Sequence, residues 1–244
     1  MKQSIFTIIK NEPLSSTVCR MVLTGDTSAI TKSGQFINIK IDGFFLRRPI
    51  SVCDYDHKTI TILYKVVGKG TQALQKMEPT MSLDILTGLG NGYDITKSGN
   101  RPLLIGGGVG IPPMYRLAKD LLAEEKKPLV ILGFNTKDEA FYIDEFKQLG
   151  IEVLVATADG SLGKKGFVTD IVKSLSNYTY FYTCGPEPML KALSECTDTS
   201  GQLSFEERMG CGFGACMGCS CQTKYGNKRI CKEGPVLEKE EIIW

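Results

Sequence analysis

A chain of 244 residues is long enough for one or two domains, and 42% hydrophobic with 23% charged residues is the balance of a globular fold. The 29 basic and 27 acidic residues nearly cancel, and no run of lysine or arginine is long enough to track a phosphate backbone, which argues against nucleic acid as a partner. The start, MKQSIFTIIKNEP, lacks a continuous apolar core and a small-residue cleavage site, and no stretch of about 18 apolar residues occurs; the expectation is a cytoplasmic protein without a membrane span.

Residues 1–97 alternate apolar and polar positions with period two, most clearly in Ile37-Asn38-Ile39-Lys40-Ile41 and from Thr59 to Val66. Glycines punctuate these segments at short spacing, and only Gly70 to Met77 has helical character, so a small antiparallel β-barrel is expected. On it lie Arg48-Pro49-Ile50-Ser51, then Leu63-Tyr64-Lys65, then Gly70 and Thr71. An arginine, a helix start and a hydroxyl suit a pyrophosphate and a ring system, although an arginine on a strand is as readily a solvated face. The single histidine, His57, falls in a polar turn and has no nucleophile's setting around it.

Residues 98–205 change rhythm to strand and helix in alternation, the pattern of a parallel sheet covered by helices. Strands are expected at 103–105, 129–132, 151–156 and 178–183, with helices at 112–125, 138–149, 168–175 and 188–196. Gly106-Gly107-Gly108-Val109-Gly110 follows the first strand and opens a helix at Pro112, so backbone N–H groups there can approach a phosphate. Pro113 stands where a third glycine of the dinucleotide fingerprint would be, and a plain tight turn is the rival reading. Cys184-Gly185-Pro186 ends the last strand, at the carboxyl edge where open sheets bind ligands.

Residues 206–244 hold five of the nine cysteines. Cys211, Cys216 and Cys219 have the C-x4-C-x2-C spacing of a plant-type 2Fe-2S centre, closed by the distant Cys231. Soft thiolate donors suit iron, and the interleaved glycines suit a loop that wraps a cluster. A structural zinc site usually presents two short-spaced cysteine pairs where this segment has one, and a Rieske centre needs two histidines.

The barrel with R-x-x-S, the sheet with GGGxGxxP and CGP, and the Cys-rich tail together resemble the ferredoxin-NADP reductase superfamily. The runs from Glu207 to Cys216 and from Cys231 to Val236 resemble its electron transfer subunits of class 1B dihydroorotate dehydrogenases. The resemblance implies FAD at Arg48 to Ser51, Leu63 to Lys65, Gly70 and Thr71, with Ser51 near the reactive flavin nitrogen as the catalytic residue. Ile50 replaces a common tyrosine, so flavin stacking is expected from elsewhere, with Tyr64 as candidate. It implies NAD at Gly106, Gly107, Gly108, Gly110, Cys184, Gly185 and Pro186, and a 2Fe-2S cluster on Cys211, Cys216, Cys219 and Cys231. It also implies an FMN-containing, dihydroorotate-oxidising partner in a heterotetramer of two subunits of each kind. The alternative is the same subunit serving a sulfhydrogenase or a ferredoxin-NADP oxidoreductase. Gly133 to Lys137 lacks an arginine to grip a 2'-phosphate, which favours NAD over NADP. Arg208, beside the cluster loop, is expected to raise the cluster's potential.

Overall fold

A computed structural model describes residues 1–244. The first part comprises β1 (Lys2–Pro13), β2 (Val18–Thr24), β3 (Phe36–Ile39), β4 (Arg48–Tyr55), β5 (Thr59–Lys65), helix α1 (Lys69–Gln75) and β6 (Ser82–Leu89). The six strands close into a barrel in the order β1-β2-β5-β4-β3-β6, every pair antiparallel. Closure leaves no free sheet edge, and the period-two residues Ile37, Ile39, Ile60 and Ile62 fill the interior with Phe6 and Met21. Tyr64 joins them, 1% exposed, with its hydroxyl donating to Asn11 Oδ1 at 2.8 Å. This corrects the stacking expectation: the Tyr64 ring is inside the barrel.

The second part runs β7 (Pro102–Gly107), α2 (Ile111–Ala123), β8 (Leu129–Phe134), α3 (Ile143–Gln148), β9 (Glu152–Thr157), β10 (Lys164–Lys165), α4 (Val168–Val172), β11 (Tyr180–Cys184), α5 (Glu187–Cys196) and β12 (Gly201–Ser204). A hairpin of β13 (Ser220–Thr223) and β14 (Gly226–Arg229) follows, then β15 (Val236–Glu238). The sheet order is β10-β9-β8-β7-β11-β12-β15, parallel as far as β12 and antiparallel at β15. Thus the last strand of the Cys-rich segment completes the edge of the neighbouring sheet.

One expected helix is broken. Residues 138–149 form a 3-10 turn at Lys137–Glu139 and then α3, because Phe141 and Tyr142 between them turn inward. Tyr142 takes a left-handed φ of 64°, and edge-on contacts of its ring with Tyr115 and of Phe141 with Phe134 offset that strain.

Barrel and sheet share one core: Val18, Cys53 and Leu63 pack in the same cluster as Leu104, Met114 and Tyr182. Charge reinforces the seam. Asp54 at the end of β4 accepts Lys119 Nζ at 2.6 Å and Arg116 Nη1 at 3.4 Å, both from α2. The Arg116 guanidinium also lies 3.9 Å from the Tyr55 ring centre and binds Asp120 at 2.7 Å. These half-buried, shared contacts are stronger than isolated surface pairs. Arg116→Ala is therefore expected to cost about 1–2 kcal/mol, a melting temperature lower by roughly 2–8 °C in scanning calorimetry.

Candidate functional site

The four cysteines come together on a loop and hairpin that lie against the barrel. Cys211 is half-buried, Cys216 exposed, and Cys219 and Cys231 buried. They are set out as two pairs: Cys216 is within hydrogen-bonding reach of Cys211, and Cys219 of Cys231. No three His, Cys, Asp or Glu side chains converge on one point as ligands of a single ion would. Two pairs side by side are what a two-iron unit requires, each iron taking two thiolates.

The two pairs sit in different surroundings. Burial opposes ionisation of Cys211, but backbone N–H groups of Cys216, Phe213 and Ala215 outweigh it and bring the thiol down to about 6. Burial first, then the Cys219 side chain and the charges on Cys219 and Cys211, push Cys231 up to about 12. Holding all four as thiolates would call for compensating positive charge, which two irons would supply.

Local structure explains the loop. Ala215 and Cys216 donate backbone N–H groups to Cys211 Sγ at 3.2 and 3.4 Å, and Cys231 N–H points at Cys219 Sγ at 3.4 Å. Gly212 and Gly214 take φ of +79° and +88°, and a Cβ on Gly212 would meet Asn38 Nδ2 at 2.4 Å. Arg229 holds Glu233 and donates to the Gly214 carbonyl at 2.8 Å, whereas Arg208 is exposed and makes no ion pair or hydrogen bond. The charge fixed against the loop is thus Arg229, not the Arg208 expected from sequence adjacency. Asn91 bonds the Glu233 and Val236 carbonyls at 3.0 and 2.7 Å and accepts the Val236 N–H, fixing the segment just after Cys231. Asn38 was visible in the sequence only as a polar position of a strand, and Asn91 and Arg229 carried no signal.

On β4, Arg48 has no carboxylate partner. Its guanidinium lies where a Cβ on Gly70 would be, 2.4 Å from Nε, so Arg48 and the start of α1 are in contact. Thr71 Oγ1 is engaged with its own turn, accepting the N–H of Val67 and of Gly68 at 3.0 and 3.2 Å. Pro49 and Ser51 share the outward face of β4, opposite Asn38 and Phe36 of β3, while Ile50 packs toward the barrel interior. Leu63 is buried in the seam between barrel and sheet, and Lys65 is half-buried at the end of β5.

The two nicotinamide-side motifs also meet. Gly106 on β7 pairs with Cys184 on β11. A Cβ on Gly110 would lie 2.2 Å from the Cys184 carbonyl, and one on Gly107 would meet Met189 and Pro186. A Cβ on Gly185 would meet Met189 at 2.4 Å and lie 3.2 Å from the Gly107 nitrogen. By contrast, Gly108, at φ +51°, has nothing within 4 Å of a Cβ position, so there is open space beside it just ahead of α2. Ile111, Pro112 and Pro113 form the first turn of α2, where proline costs no hydrogen bond.

Other expectations resolve simply. His57 is exposed, Cys19 and Cys53 are buried, and Cys196 and Cys221 are half-buried. Trp244 packs on the body, donating to Ser194 Oγ at 3.1 Å beside Phe205. No helix is long and apolar enough to cross a membrane.

A flavin-type barrel, a nucleotide-binding parallel sheet and a thiol-lined iron–sulfur loop define an oxidoreductase subunit that binds FAD, NAD and a 2Fe-2S cluster. Residues 206–243 match the iron-sulfur cluster binding domain of dihydroorotate dehydrogenase B, and residues 104–195 an oxidoreductase NAD-binding domain. The chain is 40% identical to the dihydroorotate dehydrogenase B (NAD(+)) electron transfer subunit of Geobacillus sp. (strain WCH70), over 100% of this chain and 99% of that protein. It is 43% identical to the subunit of the same name from Fusobacterium nucleatum subsp. nucleatum, over 99% of each. The chain belongs to this family of electron transfer subunits. Among solved structures, an NADH-dependent reduced ferredoxin-NADP oxidoreductase of flavin-based electron bifurcation superposes with a TM-score of 0.89 at 30% identity, over 98% of this chain and 90% of that one. A ferredoxin NADP+ reductase from Neisseria gonorrhoeae, at 16% identity and a TM-score of 0.68 over 80% of this chain and 90% of that one, shares the fold.

Burial pushes the Cys184 thiol up to about 12. It is therefore neutral at pH 8, and because only thiolate reacts, iodoacetamide is expected to label Cys184 far more slowly than a free cysteine, with the rate rising with pH up to the limit of folding. Peptide mass spectrometry reads this directly.

Proposed function

We propose that this subunit carries electrons from dihydroorotate oxidation, made available on the FMN of a catalytic partner, through its 2Fe-2S cluster and FAD to NAD+. The observation that supports it most strongly is the pairing of Cys211 with Cys216 and of Cys219 with Cys231 on a loop bonded to the flavin-strand side of the barrel. In this reading each pair holds one iron. Arg48, with Gly70 and Thr71 beside it, holds the FAD pyrophosphate, Pro49 and Ser51 with the backbone of Ile50 and of Leu63 to Lys65 line the ring system, and Ser51 offers its hydroxyl to the reactive nitrogen. Gly106 to Gly110 and Cys184 to Pro186 hold the NAD phosphates and nicotinamide. A flavin exchanges hydride or single electrons and the cluster single electrons only, so FAD stands between NAD and the cluster.

The chain's own residues set up this traffic. Arg116, Lys119 and Asp54 fix α2, which starts at the NAD loop, against β4, which carries Ser51. Exposed Phe213 and Met217 flank exposed Cys216, so an apolar partner surface would cover the cluster's outer edge and exclude water. In this reading the chain divides into a barrel unit at 1–97, a sheet unit at 98–205 and a cluster unit at 206–244, and works in the cytoplasm as a heterotetramer of two subunits of each kind. A second reading, service to a ferredoxin-NADP oxidoreductase, is favoured by the 0.89 superposition, but at 30% identity against 43% for the first family.

Anaerobically purified protein should contain iron and acid-labile sulfide in equal amounts; their absence would remove the cluster. With its partner, the complex should reduce NAD+ on addition of dihydroorotate, and copurification with a large flavoprotein instead would select the second reading. Cys216→Ser should abolish that reaction while leaving NADH oxidation by ferricyanide, which needs only the flavin, within about twofold. The end of β8 presents exposed Lys137 beside Asp138 and Glu139, so NADH should be preferred to NADPH by at least about tenfold in kcat/KM, and the reverse preference would overturn the NAD assignment.

A further inference from the structure

The outward face of β3 connects the two cofactor regions. Ile37 and Ile39 point into the barrel, so by strand alternation Phe36 and Asn38 point out. Phe36 packs in one cluster with Cys219 and Cys231. Asn38 is directly opposite Pro49 on β4 and fully buried. Its Nδ2 donates to the Cys211 carbonyl at 3.1 Å, across 173 positions of sequence.

We propose that Asn38 is a positioning residue that fixes the cluster loop against the flavin-bearing strands and thereby sets the cluster's reduction potential. The inference rests on the reading of Cys211 as a cluster ligand. Three features carry it. Gly212 has no Cβ, and one there would strike Asn38 Nδ2 at 2.4 Å, so the loop is shaped for the amide's approach. The opposite end of the same amide, Oδ1, is buried without a partner. An unsatisfied acceptor costs about 1–3 kcal/mol, so stability alone does not account for an amide here. Turning the amide over would set Oδ1 against the Cys211 carbonyl, acceptor against acceptor, which fixes the orientation.

The consequence reaches the sulfur. Asn38 holds the Cys211 backbone, and from that anchor the chain folds back so that Ala215 and Cys216 N–H groups meet Cys211 Sγ. N–H···S bonds stabilise the more negative, reduced cluster and so raise its potential. Without the anchor those donors are held less well, and the reduced form loses stabilisation.

The test is a redox titration of the flavin-loaded protein followed by EPR, comparing wild type with Asn38→Leu, which keeps the volume, and Asn38→Ala, which folds if the leucine does not fit. At fixed potential the ratio of reduced to oxidised cluster should fall about tenfold, equivalent to about 59 mV for one electron. The reduced-cluster EPR signal should change its g-values, and the FAD content measured by absorbance should stay at one per chain. Iron-loaded variants with wild-type midpoint and wild-type EPR signal overturn the proposal. Wild-type protein without iron and sulfide overturns the cluster reading itself, a separate and recognisable result.

Discussion

The outer face of β3 and β4 is where the three parts of this molecule are held to one another. β4 carries Pro49 and Ser51 on this face and Asp54 near its end, and Asp54 takes Arg116 and Lys119 from α2. β3, its antiparallel neighbour, carries Phe36 and Asn38 against the cysteine loop. Helix α2 and the cysteine loop are therefore tied to adjacent strands of a closed barrel, whose interior is filled by tightly packed isoleucines. Close packing makes such an assembly stiff. A subunit that transfers electrons between fixed sites requires this, since a small change of separation changes coupling between cofactors while leaving the fold intact.

Glycine is the second condition, because it lets backbones approach where side chains would intervene. At Gly110 the approach is to the Cys184 carbonyl and at Gly212 to Asn38, and in each case a Cβ would lie within 2.4 Å of its neighbour. Gly108 is the counter-example, with open space where a side chain would stand. Two glycines only two positions apart in one run thus do opposite things, one closing the loop onto β11 and one leaving open space beside the backbone. The spacing GGGVG displays the residues but not this division of labour.

The cysteine spacing was legible because few chemistries use C-x4-C-x2-C with a remote fourth thiol, and the barrel and sheet were legible because period two gives way to strand–helix alternation near residue 98. Tyr64 was misread for a physical reason. β5 is buried on both sides, with Leu63 toward the sheet and Tyr64 toward the barrel interior, so both neighbours are apolar and alternation cannot say which faces a ligand. The helix expected at 138–149 failed where Phe141 and Tyr142 gain more from packing on Phe134 and Tyr115 than helix continuity offers. Asn38, Asn91 and Arg229 were invisible because what they hold in place is backbone, the Cys211 and Gly214 carbonyls and the groups of residues 233 to 236, and backbone has no sequence signature. Arg208 drew notice only by adjacency.

The Cys-rich segment looks separable in sequence yet is not separable in the fold. β15, five residues beyond Cys231, pairs with β12 and completes the sheet edge, and Asn91, from the turn between barrel and sheet, uses both ends of its amide on residues 233 to 236. Cys211 is anchored to the barrel through Asn38, and Cys231 lies between the Arg229–Glu233 pair and the Asn91 contacts. One thiol pair is thus referenced to the flavin strands and the other to the junction with the nucleotide-binding sheet. A cluster spanning both pairs would itself act as a bridge between the two, so loading it should tighten the joint between segments that the polypeptide alone connects by hydrogen bonds.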